Sequence, residues 1–197
     1  MAPDVAPPRS ARRDEVLELA YRYVLDQGIG SMSLRPLAAA VGSSPRVLLF
    51  LFGSKEGLVR ALLARARTEE LELLEQLAGT DARRDLPAVA EAVWNWLAAP
   101  EHRALLRLWA EAYGRSLVEP DGPWAGFATA TVQDWLDVLA AAQPARERDT
   151  AGGAAERTLT LAVLRGALLD LLATDDRERA TTAVESYLAG LRRRRRG

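Results

Sequence analysis

The chain has 197 residues, 49% of them hydrophobic and 27% charged, with a formal net charge of −1 and no cysteine. A chain of that length buries a proper core in one or two domains, and the balance is ordinary for a globular protein. Without cysteine there is no disulfide, thiolate metal site or thiol nucleophile, and no uncharged apolar run of about 18 residues is present to span a membrane.

The N-terminal stretch MAPDVAPPRSARR is Pro-rich and polar. It lacks the apolar centre of a signal peptide, so residues 1–9 read as a disordered arm and the expected location is cytoplasmic. A first helix is predicted from about Ser10 to Asp26, because Val16, Leu19, Ala20, Tyr23 and Val24 recur at three- and four-residue intervals before Gln27-Gly28 ends it. Ser33 is placed to cap a short helix from Leu34 to Val41, with Leu34, Leu37, Ala38 and Val41 inward. Gly42-Ser43 breaks that helix. Ser44 caps the next, with Pro45 at its first position where a missing N–H costs nothing. Gly53 stops it after Phe52, and Ser54 opens a long helix through about Leu77. Two short helices joined by a tight turn under a first helix form a helix-turn-helix, whose second helix is offered to a DNA major groove. The middle of that helix is unusual: Val47 to Phe52 is six apolar residues in a row.

Beyond Gly79-Thr80-Asp81 the chain reads as further helices at about Leu86–Ala98, Pro100–Val118, Pro123–Ala142, Ala154–Thr174 and Arg177–Arg195. Breaks fall at Pro100, at Glu119–Pro123 and at Pro144–Gly153. No run of alternating β-branched residues suggests a strand. The fold class expected is all-α, with a three-helix helix-turn-helix domain at 10–57 and a helical domain at 58–197.

Catalytic signatures are missing. The single histidine, His102, stands beside Glu101 at a helix start and reads as a surface residue. There is no Walker loop, dinucleotide fingerprint, nucleophile elbow or His-Glu-x-x-His pair, and no convincing transition-metal site. No enzyme, metal or cofactor is expected, with catalysis in the aromatic region kept as a third reading.

The segment Arg12–Leu62 resembles the DNA-binding domain of TetR-family transcriptional regulators. The resemblance is carried by the helix ending at Gly28, by Ser33-Leu34-Arg35-Pro36-Leu37-Ala38, by the Val41-Gly42-Ser43 turn, and by Phe52-Gly53-Ser54-Lys55-Glu56-Gly57-Leu58. It implies an all-helical homodimer, a recognition helix within Ser44–Phe52 and a ligand pocket in the C-terminal domain. It also implies repression of an operator, relieved by a small hydrophobic or amphipathic effector. One departure stands out: where relatives usually carry a tyrosine on the recognition helix this chain has Leu49, and Phe50 and Leu51 follow in place of polar or basic residues.

On the DNA side, Arg46 suits guanine O6 and N7 or a phosphate, and Leu49 and Phe50 suit a thymine methyl or packing against protein. Ser33, Ser43 and Ser44 place hydroxyls near helix N-termini where an anion is stabilised. Lys55, the only lysine in the chain, and Arg35 both open helices, where a cation is unfavourable for the dipole and a phosphate contact supplies a reason. Arg9, Arg12 and Arg13 either add salt-sensitive affinity or have no role.

On the effector side, Trp109, Tyr113, Phe127, Thr131 and Trp135, with Glu111 or Arg165, supply the mixture of aromatic and polar groups found in pockets; plain core packing is the competing reading. Arg165 either pairs with Asp170 or another carboxylate, or holds an acidic ligand. The last two helices carry more apolar surface than one face can bury, which suits a homodimer interface of two helices per subunit. The Arg192–Arg196 run reads first as a solvated tail. A protein of the same ancestry that has lost specific DNA binding, and acts through ligand or protein contacts, is the runner-up.

Overall fold

A computed structural model describes residues 9–79 and 85–195 of the chain. These residues form helices and no strand: α1 (Arg9–Gln27), α2 (Leu34–Ala40), α3 (Pro45–Phe52), α4 (Lys55–Gly79), α5 (Leu86–Leu97), α6 (Arg103–Val118), α7 (Phe127–Ala141), α8 (Ala145–Arg148), α9 (Ala151–Thr174) and α10 (Arg177–Arg194). The expectation of an all-α chain is met. Residues 1–8 of the expected arm, and Arg196, lie outside the described residues.

Three boundaries differ from those read off the sequence, each for a local reason. Pro100–His102 is a 3-10 turn, not the start of α6, because the His102 N–H donates to the Ala99 carbonyl at 3.2 Å. Turns occupy the residues before Phe127, so α7 begins four positions later than its proline suggested. Thr150 caps α9 by accepting from the Gly153 N–H at 3.0 Å, and the helix therefore starts at Ala151. The short α8 falls in a segment read as a break; the amides of Glu147 and Arg148 both donate to the Pro144 carbonyl.

By compactness the chain divides in two. One unit is the chain up to Thr68 together with Arg107–Ala128; the other is Glu69–Leu106 together with the chain from Thr129.

In the first unit, α1 packs on α2 and α2 on α3. Val16, Ala20, Tyr21 and Val24 are the buried side chains of α1. Leu19 stays 37% exposed and Tyr23 half-buried, which corrects the inward stripe expected for this helix. The reason is tertiary: Arg65 on α4 lies over the Tyr21 ring at 4.8 Å and pairs with Glu18 at 2.5 Å, drawing that side of α1 toward α4. Arg12 and Arg13 belong to α1 and are engaged within the protein. Arg12 pairs with Glu15 at 2.7 Å, and Arg13 covers the Phe52 ring at 5.1 Å.

In the second unit, α5, α9 and α10 pack on one another and α8 packs on α9. Trp94, 2% exposed, donates its indole N–H to the Thr181 hydroxyl at 3.2 Å. Leu161, Leu164, Leu168 and Leu171 form the buried stripe of α9. His102 is not a free surface residue: it stacks on Trp96 with centroids 4.0 Å apart, and its Nδ1 is 2.9 Å from the Trp96 carbonyl oxygen.

The terminal arginine run is also docked where it is described. Arg195, 17% exposed, bridges Glu147 at 2.5 Å and Glu156 at 2.7 Å, and Arg192 reaches Glu91 at 2.7 Å. These pairs tie the end of α10 to α8, α9 and α5. Removing Arg195 takes the close partner from Glu156 and leaves Glu147 with Arg146 at 3.6 Å, so Arg195→Ala is expected to cost about 1–2 kcal/mol in urea denaturation. An unchanged midpoint would mean that the run is held by the helix alone.

Candidate nucleic-acid interface

The segment from Ser33 to Leu58 is built by local rules. Ser33 occupies the N-cap position of α2, but its hydroxyl makes no capping bond, so that part of the expectation is corrected. The Ser43 N–H donates to the Ala38 carbonyl at 2.8 Å and holds the turn. Ser44 has the extended backbone of an N-cap (φ −124, ψ 155), and its Oγ accepts from the Val47 N–H at 3.3 Å. Gly53 has φ 80, a region costly for residues with a Cβ, and ends α3 there. The Ser54 hydroxyl then caps α4 by accepting from the Gly57 N–H at 3.0 Å. A Cβ at Gly57 would collide with the Phe52 carbonyl oxygen, so the backbones of α3 and α4 meet only because that residue is glycine. Leu58, fully buried, anchors the start of α4. Each residue of the Phe52–Leu58 motif except Lys55 and Glu56 thus has a structural duty.

Glu56 is held below the usual carboxylate range by its own backbone N–H and then by the Ser54 hydroxyl. It remains an anion beside Lys55.

The apolar middle of α3 divides sharply. Leu48 and Phe52 are 1% and 9% exposed and form the inward face. Val47, Leu49 and Phe50 are 38%, 40% and 64% exposed. Arg46, Leu49 and Phe50, spaced i, i+3 and i+4, share the outward face. All eight residues expected on the DNA side (Ser33, Arg35, Ser43, Ser44, Arg46, Leu49, Phe50 and Lys55) lie at the N-cap of α2, on α2 or α3, in the turn between them or in the first turn of α4. None of them is buried.

The residues expected around an effector are divided between the units. In the first, the Trp109 and Tyr113 rings tilt at 30° with centroids 5.0 Å apart, both half-buried, and Phe127 is buried. The Trp109 indole N–H is buried without a partner. Glu111 is spent elsewhere: its carboxylate accepts from the Ile29 N–H at 3.2 Å, fixing the turn after α1. In the second unit, Thr131 is 1% exposed and its hydroxyl has no partner. Trp135 donates its indole N–H to Glu70 at 2.5 Å, and both side chains are buried. Arg165 is half-buried, and the Asp170 carboxylate expected opposite it pairs with Arg179 at 2.7 Å. Sequence reading missed Glu70, since a carboxylate in a charged stretch of α4 carries no signal of burial. No group of three or more His, Asp or Glu suited to a metal ion occurs among the described residues.

Compared by sequence, the chain matches no protein-family model and no curated protein. Solved structures do match it. It is similar to the multidrug binding protein EbrR in complex with imidazole, at 25% identity and a TM-score of 0.66, over 95% of this chain and 97% of that one. A TetR transcription regulator from Haloarcula marismortui aligns at 17% identity and a TM-score of 0.67, over 90% and 94% of the two chains.

The chain has the TetR-family fold. GusR from Salmonella enterica aligns with it over 96% of this chain and 98% of its own, at 20% identity and a TM-score of 0.67. No helix among the described residues is long and apolar enough to cross a membrane.

Proposed function

We propose that this chain is a homodimeric DNA-binding transcriptional regulator that represses its operator and is released by a small hydrophobic or amphipathic effector. The observation that carries the reading is α3: a capped eight-residue helix that presents Arg46 with two apolar side chains, flanked by exposed Arg35 and Lys55. Serine hydroxyls at 33, 43 and 44 and the helix N-termini suit phosphate oxygens, and Arg46 suits a guanine edge. Dimerisation through α9 and α10 is supported by a second apolar stripe on α9. Leu159 and Leu169 on that stripe are 53% and 48% exposed.

The effector reading rests on Trp109, Tyr113 and Phe127 in one unit and on Thr131, Trp135 and Arg165 in the other. The buried Trp109 N–H of the first unit lacks a partner, as does, separately, the Thr131 hydroxyl of the second, and buried polar groups are nearly always satisfied. Each is a polar group that a bound molecule within its own unit would satisfy. EbrR, a multidrug binding protein, has been solved with imidazole and, at 25% identity and a TM-score of 0.61, with proflavin.

The test is selection from a randomised duplex library, followed by mobility shifts across a salt series. A single enriched, two-fold-related sequence is expected, with Arg46→Ala binding it about 10- to 100-fold more weakly at fixed salt. Equal affinity for all sequences would overturn operator recognition. It would favour a protein that has kept the fold but acts through ligand or protein contacts, a reading to which the missing hydroxyl at Leu49 lends weight.

A further inference from the structure

We propose that two copies of this chain meet through an antiparallel pairing of α9 with α9, centred at the level of Leu164, so that Leu159 of one subunit packs against Leu169 of the partner subunit. The inference rests on the homodimer reading above and adds to it the direction and register of the contact.

Three observations lead to it. First, every exposed residue of α9 is uncharged. The stripe Ala155, Leu159, Ala162, Gly166, Leu169 and Ala173 advances by four and three residues in turn, the spacing of a seam that a second helix fills. A face without charge offers nucleic acid or an acidic partner nothing to hold, whereas an identical uncharged face meets it without repulsion. Second, Gly166 lies inside the helix, where glycine costs stability relative to alanine. A Cβ there would meet nothing within 4 Å among the described residues, so packing within the subunit gives no reason for the glycine. Close approach of another backbone does. Third, the stripe has the same pattern from either end. Ala155 and Ala173 lie nine positions from Leu164, Leu159 and Leu169 five, and Ala162 and Gly166 two. A two-fold contact needs a surface complementary to itself, with residue i on j and j on i. Antiparallel pairing about Leu164 sets each leucine on the other leucine of the stripe and the smallest residues at the crossing, where helix axes approach to about 8 Å. Parallel pairing would set each leucine on its own copy and leave that symmetry without a use.

The stripe is roughly 27 Å long on a helix about 10 Å across, so the α9 pair covers about 550 Å² in total. That is under half of a specific interface, and exposed, uncharged Thr182, Ala183 and Ser186 on α10 offer surface for the rest.

The chain has no cysteine, so introduced thiols report their own surroundings. The probes are Leu159→Cys, Leu169→Cys and the double variant, each treated with a bismaleimide too short to span roughly 15 Å and run on a denaturing gel, beside sedimentation of the untreated protein. A covalent dimer is expected from the double variant and none from either single variant, whose like thiols stand ten residues apart along the paired helices. Gly166→Leu, which fills the crossing, is expected to sediment as a monomer with the helix content of the parent chain. A covalent dimer from a single variant overturns the antiparallel pairing and leaves the homodimer standing. So does a double variant that sediments as a dimer yet is not joined, or a dimeric Gly166→Leu, since the contact then lies on another surface. A parent chain that sediments as a monomer at micromolar concentration removes the homodimer reading itself, and this inference with it.

Discussion

Leu48→Ala is expected to destabilise the protein by about 3 kcal/mol, while Leu49→Ala, one position along the same helix, costs less than about 1 kcal/mol. Leu48 is 1% exposed, and truncating it removes buried methyl groups and leaves a cavity under α3 that its neighbours close only in part. The loss is a large share of the stability of a domain of this kind. Leu49 is 40% exposed, so its truncation removes surface that water already reaches. On the proposed DNA-binding reading, its truncation is expected to lower DNA affinity instead. Urea denaturation followed by circular dichroism, beside mobility shifts on the same preparations, separates the two. Equal destabilisation by both variants would mean that α3 is rotated about its axis from the orientation described.

The double variant Leu159→Glu, Leu169→Glu is expected to be a folded monomer that has lost operator affinity by more than about 100-fold. Both leucines lie on α9 away from the buried stripe of Leu161, Leu164, Leu168 and Leu171, and both are about half exposed. Ala162 and Gly166 continue the same exposed face between them. In a subunit standing alone, carboxylates there are solvated and the helix content is unchanged. In a dimer they place like charges in an apolar interface. Sedimentation at micromolar concentration reads the assembly state, and circular dichroism reads the fold. The affinity loss follows because one head bound to one half-site forgoes the second, linked contact. A variant that sediments as a dimer would assign dimerisation to another surface.

Much of the segment from Ser33 to Leu58 was legible because its determinants are local. Ser44-Pro45 starts α3 and Gly53 ends it for reasons that lie within a few residues, and so does the Ser54–Gly57 cap. The inward assignment of Leu48 and Phe52 followed from a four-residue spacing. The α1 stripe did not follow in the same way. Periodicity alone gives a face of a helix, and choosing Tyr21 over Leu19 required Arg65, 44 positions further along, to lie over its ring.

By itself, then, the sequence determined an all-helical chain, the ends of the helices α2 and α3, and an α3 whose outer face is apolar. Such features depend on caps, glycine conformations and neighbours three or four residues away. Only the tertiary structure decided how the charged residues are used. Glu111 holds the Ile29 amide, Arg13 covers Phe52, Arg195 is clamped by Glu147 and Glu156, and Glu70 is buried against Trp135. A long charged side chain pairs with whatever the fold brings within reach, and the partners named here lie between 39 and 82 positions away. No local pattern encodes contacts at that distance.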